Sequence, residues 1–415
     1  MEFVTKYKKF FLVGGFIAVV LLLGYLLYAI FFKAPPEGLE TGGETATSTT
    51  VGGLPVSPSG SGQVVTTGQS TGLPGSTEGS NALASEKAQG GLTKTVEINQ
   101  TPSLGTTLSK DGTNLQYYNQ DDGKFYKVNK NGQITALADK TFYNISSITW
   151  SPDRNQAILE YPDGANIVYN FTTDKQTTLP SHWEDFDFSP DGEKIVMKSL
   201  GLDPNNRWLA ITNQDGSETR AIEEIGEKDA TVYPSWSPNN QVVAMYTEGV
   251  DFDRQEVFFL GLNDENFKSM VVEGRGFEPK WFPEGDRLLY SVYSSDNDLK
   301  PMLWTAAAEG DDIGLGRKSL NIETWADKCV FADASGSDLY CAVPKDLEKG
   351  AGLFPELADN TYDQLYKIDP ATGAKKLIAT PDGFYSMSDL IVSSNGYQLY
   401  FTDDNTKKIY KINLK

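Results

Sequence analysis

Trp150-Ser151-Pro152-Asp153, Phe188-Ser189-Pro190-Asp191-Gly192, Trp236-Ser237-Pro238-Asn239 and Trp281-Phe282-Pro283-Glu284-Gly285 are four copies of one turn. Proline presets φ at the second turn position, Asp or Asn tolerates the third, and Gly relieves the exit. Each copy ends an apolar run on an aromatic residue and is followed by a second run, such as Lys194-Ile195-Val196-Met197 or Arg287-Leu288-Leu289-Tyr290. Consecutive apolar residues of this kind mark strands covered on both faces. Three weaker copies are Leu108-Ser109-Lys110-Asp111-Gly112, Phe331-Ala332-Asp333-Ala334 and Ile391-Val392-Ser393-Ser394-Asn395-Gly396. The seven anchors Leu108, Trp150, Phe188, Trp236, Trp281, Phe331 and Ile391 are 42, 38, 48, 45, 50 and 60 residues apart. A period of about 40–50 residues holding several short strands is the signature of propeller blades. The pattern predicts an all-β domain, a seven-bladed β-propeller over residues 93–415, with six or eight blades as alternatives.

Each repeat continues with a third strand, as in 166–171 and 256–260. A turn at Asn131-Gly132, Asp215-Gly216 or Thr372-Gly373 then leads to a more polar outer strand. The last repeat has room for only three strands, near 398–402 and 408–414 after its anchor. Thr93-Lys-Thr-Val-Glu-Ile-Asn99 is the expected fourth, closing the ring and removing two sheet edges. These repeats resemble the TolB-like, WD40-like propeller family, whose blades carry Trp-Ser-Pro-Asp-Gly between their first and second strands. The resemblance covers residues 93–415 and implies the fold. Neither Gly-His nor Trp-Asp of a true WD repeat occurs. The family's namesake has six repeats, a cleaved signal and an extra N-terminal domain; this chain departs on all three, so its partners are not carried over.

Upstream, residues 10–32 contain no charged residue and no proline. As a helix they would span roughly 34 Å, enough for a hydrocarbon core of about 30 Å. Lys6, Lys8 and Lys9 precede the run and Glu37, Glu40 and Glu44 follow it. That asymmetry predicts a signal-anchor transmembrane helix with residues 1–9 cytoplasmic and the rest outside, in a single-pass plasma-membrane protein. The run is too long for a cleavable signal and lacks an Ala-x-Ala end. Residues 33–92 follow as a linker: 35 of these 60 residues are Gly, Ser, Thr or Pro and none is aromatic. Such a segment cannot offset its ordering entropy, and a coil of this length spans about 40–45 Å. It reads as a tether.

The chain's net charge is −20, and residues 93–415 hold 31 Lys/Arg against 50 Asp/Glu. Nucleic-acid binding, which needs clustered basic residues, is not expected. Catalysis has little to work with. Gly68-Gln69-Ser70-Thr71-Gly72 matches a hydrolase motif but lies in the linker, away from any strand-to-helix elbow. The single histidine, His182, cannot build a zinc site alone. Asp251-Phe252-Asp253 and Asp296-Asn297-Asp298 lack the calcium-loop spacing. No cofactor or metal is expected. Cys329 and Cys341 lie six residues either side of Ser335, opposite one another in a hairpin, and predict a disulfide in an extracytoplasmic domain, with two buried free thiols as the alternative.

In a propeller the second-to-third strand connections and those between blades open on one face. Several of the former are long, above all 344–362, which contains Leu353-Phe354-Pro355-Glu356-Leu357. Phe354 and Leu357 are therefore candidate partner contacts. Tyr143, Trp183, Tyr233, Phe277, Trp325 and Tyr385 each stand shortly before a blade anchor, accompanied by Glu184, Asp185, Asp229, Glu278 and Asp327. These rings either line the channel mouth, able to take a peptide or glycan, or pack between blades. The expected function is a non-catalytic protein-binding or scaffolding module with a protein partner in the cell envelope. The alternative is a carbohydrate-binding or hydrolytic propeller.

Overall fold

The computed structural model describes residues 21–23, 25, 83–263, 265, 267–359 and 361–415. Of the expected transmembrane run only Leu21, Leu22, Leu23 and Tyr25 are included, all helical; the rest, with most of the linker, lies outside the described residues. No helix among the described residues is long and apolar enough to cross a membrane. The chain divides into two units, Met1–Ser76 and Thr77–Lys415, and the fold is that of the second.

Seven antiparallel sheets follow one another along the chain, and six have four strands each. Their first strands are Ser103–Leu108, Ser147–Trp150, Trp183–Phe188, Val232–Pro234, Arg275–Trp281, Cys329–Phe331 and Met387–Val392, which define blades 1 to 7. First strands touch one another from blade 1 to 2, 2 to 3, 3 to 4, 6 to 7 and 7 back to 1, so they form the inner ring. This is the seven-bladed all-β propeller expected. Second strands are the most buried: every residue of Leu115–Asn119 is covered, as are Ile195–Lys198 and Leu288–Val292. Outer strands are mostly more exposed, as in Ile134–Ala136, but Met270–Val272 of blade 4 is largely buried. The core therefore lies in the sheets themselves, each apolar second strand pressed between two neighbouring blades.

The Ser-Pro-Asp turn is held by its own side chains. In blade 3 the Ser189 hydroxyl donates to Asp191 Oδ1 (2.5 Å) and accepts from the Lys194 N–H (2.9 Å). Ser109 in blade 1 and Ser393 in blade 7 repeat this arrangement although their motifs lack the proline. The last anchor shifts by one residue. Val392, not Ile391, directly precedes Ser393, pairs with Leu399 and is buried.

The N-terminal closure is present, and it is larger than expected. Thr95–Glu97 pairs antiparallel with Ile409–Asn413 as the outer strand of blade 7. Just before it, Gly91–Thr93 runs parallel to Lys375–Pro381, adding a fifth strand to blade 6. Ser85 bridges back to Thr93, and Ala88 N–H donates to Asn413 O. The described residues of this unit begin at Leu83, so ten residues of the expected linker, 83–92, lie beside blades 6 and 7. Gly and Ser there form ladder hydrogen bonds, because the edge of blade 6 supplies the partners a free chain lacks. Cys329 and Cys341 are paired in register, 4.1 Å apart at Cα, and joined by a disulfide. The Ala342 N–H donating to Lys328 O marks them as a non-hydrogen-bonded pair, the closer of the two kinds.

Candidate functional site

Exposed large apolar side chains concentrate on the face that carries the second-to-third connections and the links between blades. Tyr143 (67% exposed), Leu202, Val250, Phe252 (74%), Leu353, Phe354 (52%) and Phe384 all stand there. The turns of the opposite face contribute Leu315 and Tyr397 among the described residues, and Ile134 and Leu92 sit on outer strands. Isolated exposed apolar residues are ordinary; a collection on one face is the informative pattern.

At the centre of this face the ends of first and second strands bring charges together. Blades 2 to 4 surround a polar cavity of about 540 Å³ lined in part by Thr149, Glu160, Asp185, Lys198 and Tyr233. The buried Lys198 ammonium meets Asp185 at 2.6 Å. Asp185 occupies a β-bulge with φ 54°, as does Asp389 in blade 7 with φ 47°. The equivalent bulges of blades 1 and 5 use Gly105 and Gly276, which meet no Cβ penalty at positive φ. Strained non-glycine residues at bulges aim side chains deliberately. In blade 5, Glu278 accepts from the Ser291 hydroxyl at 2.9 Å. Burial, aided by the Asp327 charge, pushes its carboxyl up to about 7. Burial likewise raises Glu160, with Asp185 and Glu184 adding like-charge repulsion. Lys280 donates to the Cys329 carbonyl.

No protein-family model matches the sequence, and no curated protein matches it. Solved structures do match its fold. An oligogalacturonate lyase in complex with manganese superposes with a TM-score of 0.52 at 15% identity, over 77% of this chain and 93% of that one. The Cps50 (Swd1) propeller domain of Myceliophthora thermophila superposes equally well, 0.52 at 11% identity over 77% and 100%. An oligogalacturonate lyase of Vibrio parahaemolyticus gives 0.50 at 13% over 77% and 93%. At these identities the likeness shows the propeller and nothing finer. The TolB-like assignment therefore rests on the turn motifs alone.

The six aromatics expected before the anchors do not act as a set. Trp183 is buried between blades 2 and 3 with Ile158, Val168 and Phe188, and Phe277 is fully covered between blades 4 and 5. Tyr385 packs edge-on against Phe401 and at a tilt against Tyr410, and shares a hydrogen bond of 3.0 Å with Thr95. Tyr233 is half-buried and borders the cavity. Tyr143 alone is well exposed. Trp325 packs under the long blade-6 connection, against Leu347, Ala351, Ala358 and Leu357. Leu357 thus faces inward and Phe354 outward, an ordinary outcome for a loop long enough to need its own small core. Three carboxylates of the two acidic loops are engaged: Asp251 with Arg254 at 2.6 Å, Asp253 with the Ser295 hydroxyl at 2.6 Å, and Asp298 with Lys349 at 2.9 Å. No group of three metal-ligating side chains occurs among the described residues.

Glu160 and Lys198 escaped sequence reasoning. Each ends an apolar run of a second strand, in Ile158-Leu159-Glu160 and Val196-Met197-Lys198, although the strand of Lys198 continues to Leu200. A charge ending an apolar run is a weak signal, yet here both residues line the polar cavity.

Proposed function

We propose that this chain is a non-catalytic protein-binding or scaffolding module, tethered to the plasma membrane by residues 10–32, that offers its connection face to a protein of the cell envelope. The collection of exposed apolar side chains on that one face carries the reading. The lysines before residue 10, the acidic residues after residue 36 and the Cys329–Cys341 disulfide support an extracytoplasmic propeller. A photo-crosslinking residue placed at Leu202 or Phe354 in intact cells should trap a defined protein adduct, while one at Tyr397 on the opposite face should not. Equal adducts from both faces, or none from either, would reject the reading.

A second reading, a carbohydrate-binding or hydrolytic propeller, draws on Glu278. A carboxyl held near neutrality beside Asp327 is suited to proton transfer. Turnover of an envelope polysaccharide that disappears in Glu278→Gln would select this reading over the first.

A further inference from the structure

The second-to-third connections of blades 4, 5 and 6 are fastened to one another. Asp253 in the blade-4 connection accepts from both the N–H and the hydroxyl of Ser295 in blade 5, at 2.7 and 2.6 Å. The blade-5 connection passes the linkage on: Asp298 O accepts from Gly350 N–H, and Leu299 O from Gly352 N–H, both at 2.8 Å. Lys349 meets Asp298 at 2.9 Å. Gly352 lies so close to blade 5 that a Cβ there would stand 2.5 Å from Tyr293 Cβ and 2.8 Å from Leu299 O. Trp325 and its cluster fill the space beneath, and Tyr362 carries the surface to exposed Phe384 through a ring contact of 6.1 Å.

Three loops of different blades thus form one continuous lip, fixed by the Asp253 carboxylate between blades 4 and 5 and by backbone hydrogen bonds between blades 5 and 6. Val250, Phe252, Leu353 and Phe354 project from it, exposed. Residues 250–254, 294–300 and 345–362 hold eight Asp/Glu against four Lys/Arg. We infer that this lip is the docking surface itself, and that its occupant is a protein segment bearing large apolar side chains and a net positive charge. Apolar anchors supply the buried contact, and complementary charge supplies the choice of partner. Pre-organised loops also spare the ordering entropy a mobile surface would lose on binding. The inference rests on the protein-binding reading and narrows it to one half of the face and one partner chemistry.

A random 15-residue peptide library selected on the immobilised full-length protein tests it, with Phe252→Ser/Phe354→Ser and Tyr143→Ser/Leu202→Ser as parallel targets. Sequences that bind the unaltered protein should be rich in Lys/Arg and in Leu, Phe or Trp. They should lose at least tenfold in affinity on the lip variant and keep it on the other. Acidic or polar sequences, or sequences indifferent to the lip variant, would overturn the proposal. Loss on Tyr143→Ser/Leu202→Ser alone would overturn the lip and leave the protein-binding face standing. No selected peptide sensitive to either variant would overturn both. Sedimentation of the full-length protein covers self-recognition: a dimer that the lip variant disperses would make the occupant a second copy and overturn the inference.

Discussion

At the residue scale the molecule shows why charge near a propeller channel is hard to read from sequence. Glu278 looks in sequence like one more acidic residue in an acidic chain. In the structure it is half-covered, faces Asp327 and has its carboxyl near 7 instead of the ordinary 4.5. A carboxyl raised by folding favours the folded state while protonated. Its stabilising share is complete below about pH 4.5 and is lost as pH rises through about 7. Glu278→Gln should therefore melt close to the unaltered protein at pH 5 and several degrees above it at pH 8, roughly 3–5 °C for a domain of this size. Equal differences at the two pH values would show that Glu278 is not the titrating group. Trp183 and Phe277 make the opposite point. Each stands beside a blade anchor, and there an aromatic ring fits the gap between two sheets as readily as it lines a channel; only the packing decides.

At the scale of the element, the strands and turns were legible because they obey local rules. The turns and the buried second strands appear where the repeat puts them, apart from a one-residue shift of the last anchor, and the outer strands are mostly polar, the apolar Met270–Val272 of blade 4 being an exception. The closing strand was legible too, since a blade short of one strand asks for a donor. The added strand Gly91–Thr93 was not, because Gly-rich sequence has no strand propensity and is held there by an edge far along the chain. Within the closure, Ile98 N–H donates to Ile409 O, which makes Val96 opposite Lys411 a hydrogen-bonded position. Val96→Pro removes that donor from the ring's final seam. Its urea midpoint should fall, by an amount corresponding to about 1–3 kcal/mol. An unchanged midpoint would mean that the seam contributes little to the stability of the ring. The acidic loops divide in the same way: their length was visible, whereas their fastening to one another depends on the spacing of blades 4 to 6, which no local motif encodes.

At the scale of the whole molecule, the ring closes through the chain that precedes its first blade. That chain makes an isolated hydrogen bond to blade 7, from Ala88 N–H to Asn413 O, and then pairs with the edge of blade 6 at Gly91–Thr93 and with blade 7 at Thr95–Glu97, so its two strand pairings lie in series. A pull applied upstream of Leu83 reaches the parallel pairing of Gly91–Thr93 before it reaches Thr95–Glu97. The first can yield while the ring stays shut, taking up slack as a sacrificial fastening. Only the second breaks the circle. Force spectroscopy from this end should show two separated ruptures, a weak one followed by a strong one, whereas one cooperative event would mean that the two seams share the load. In the tethered arrangement proposed above, that order of failure would spend tension at the rim of blade 6 before it disturbed the loops of the connection face.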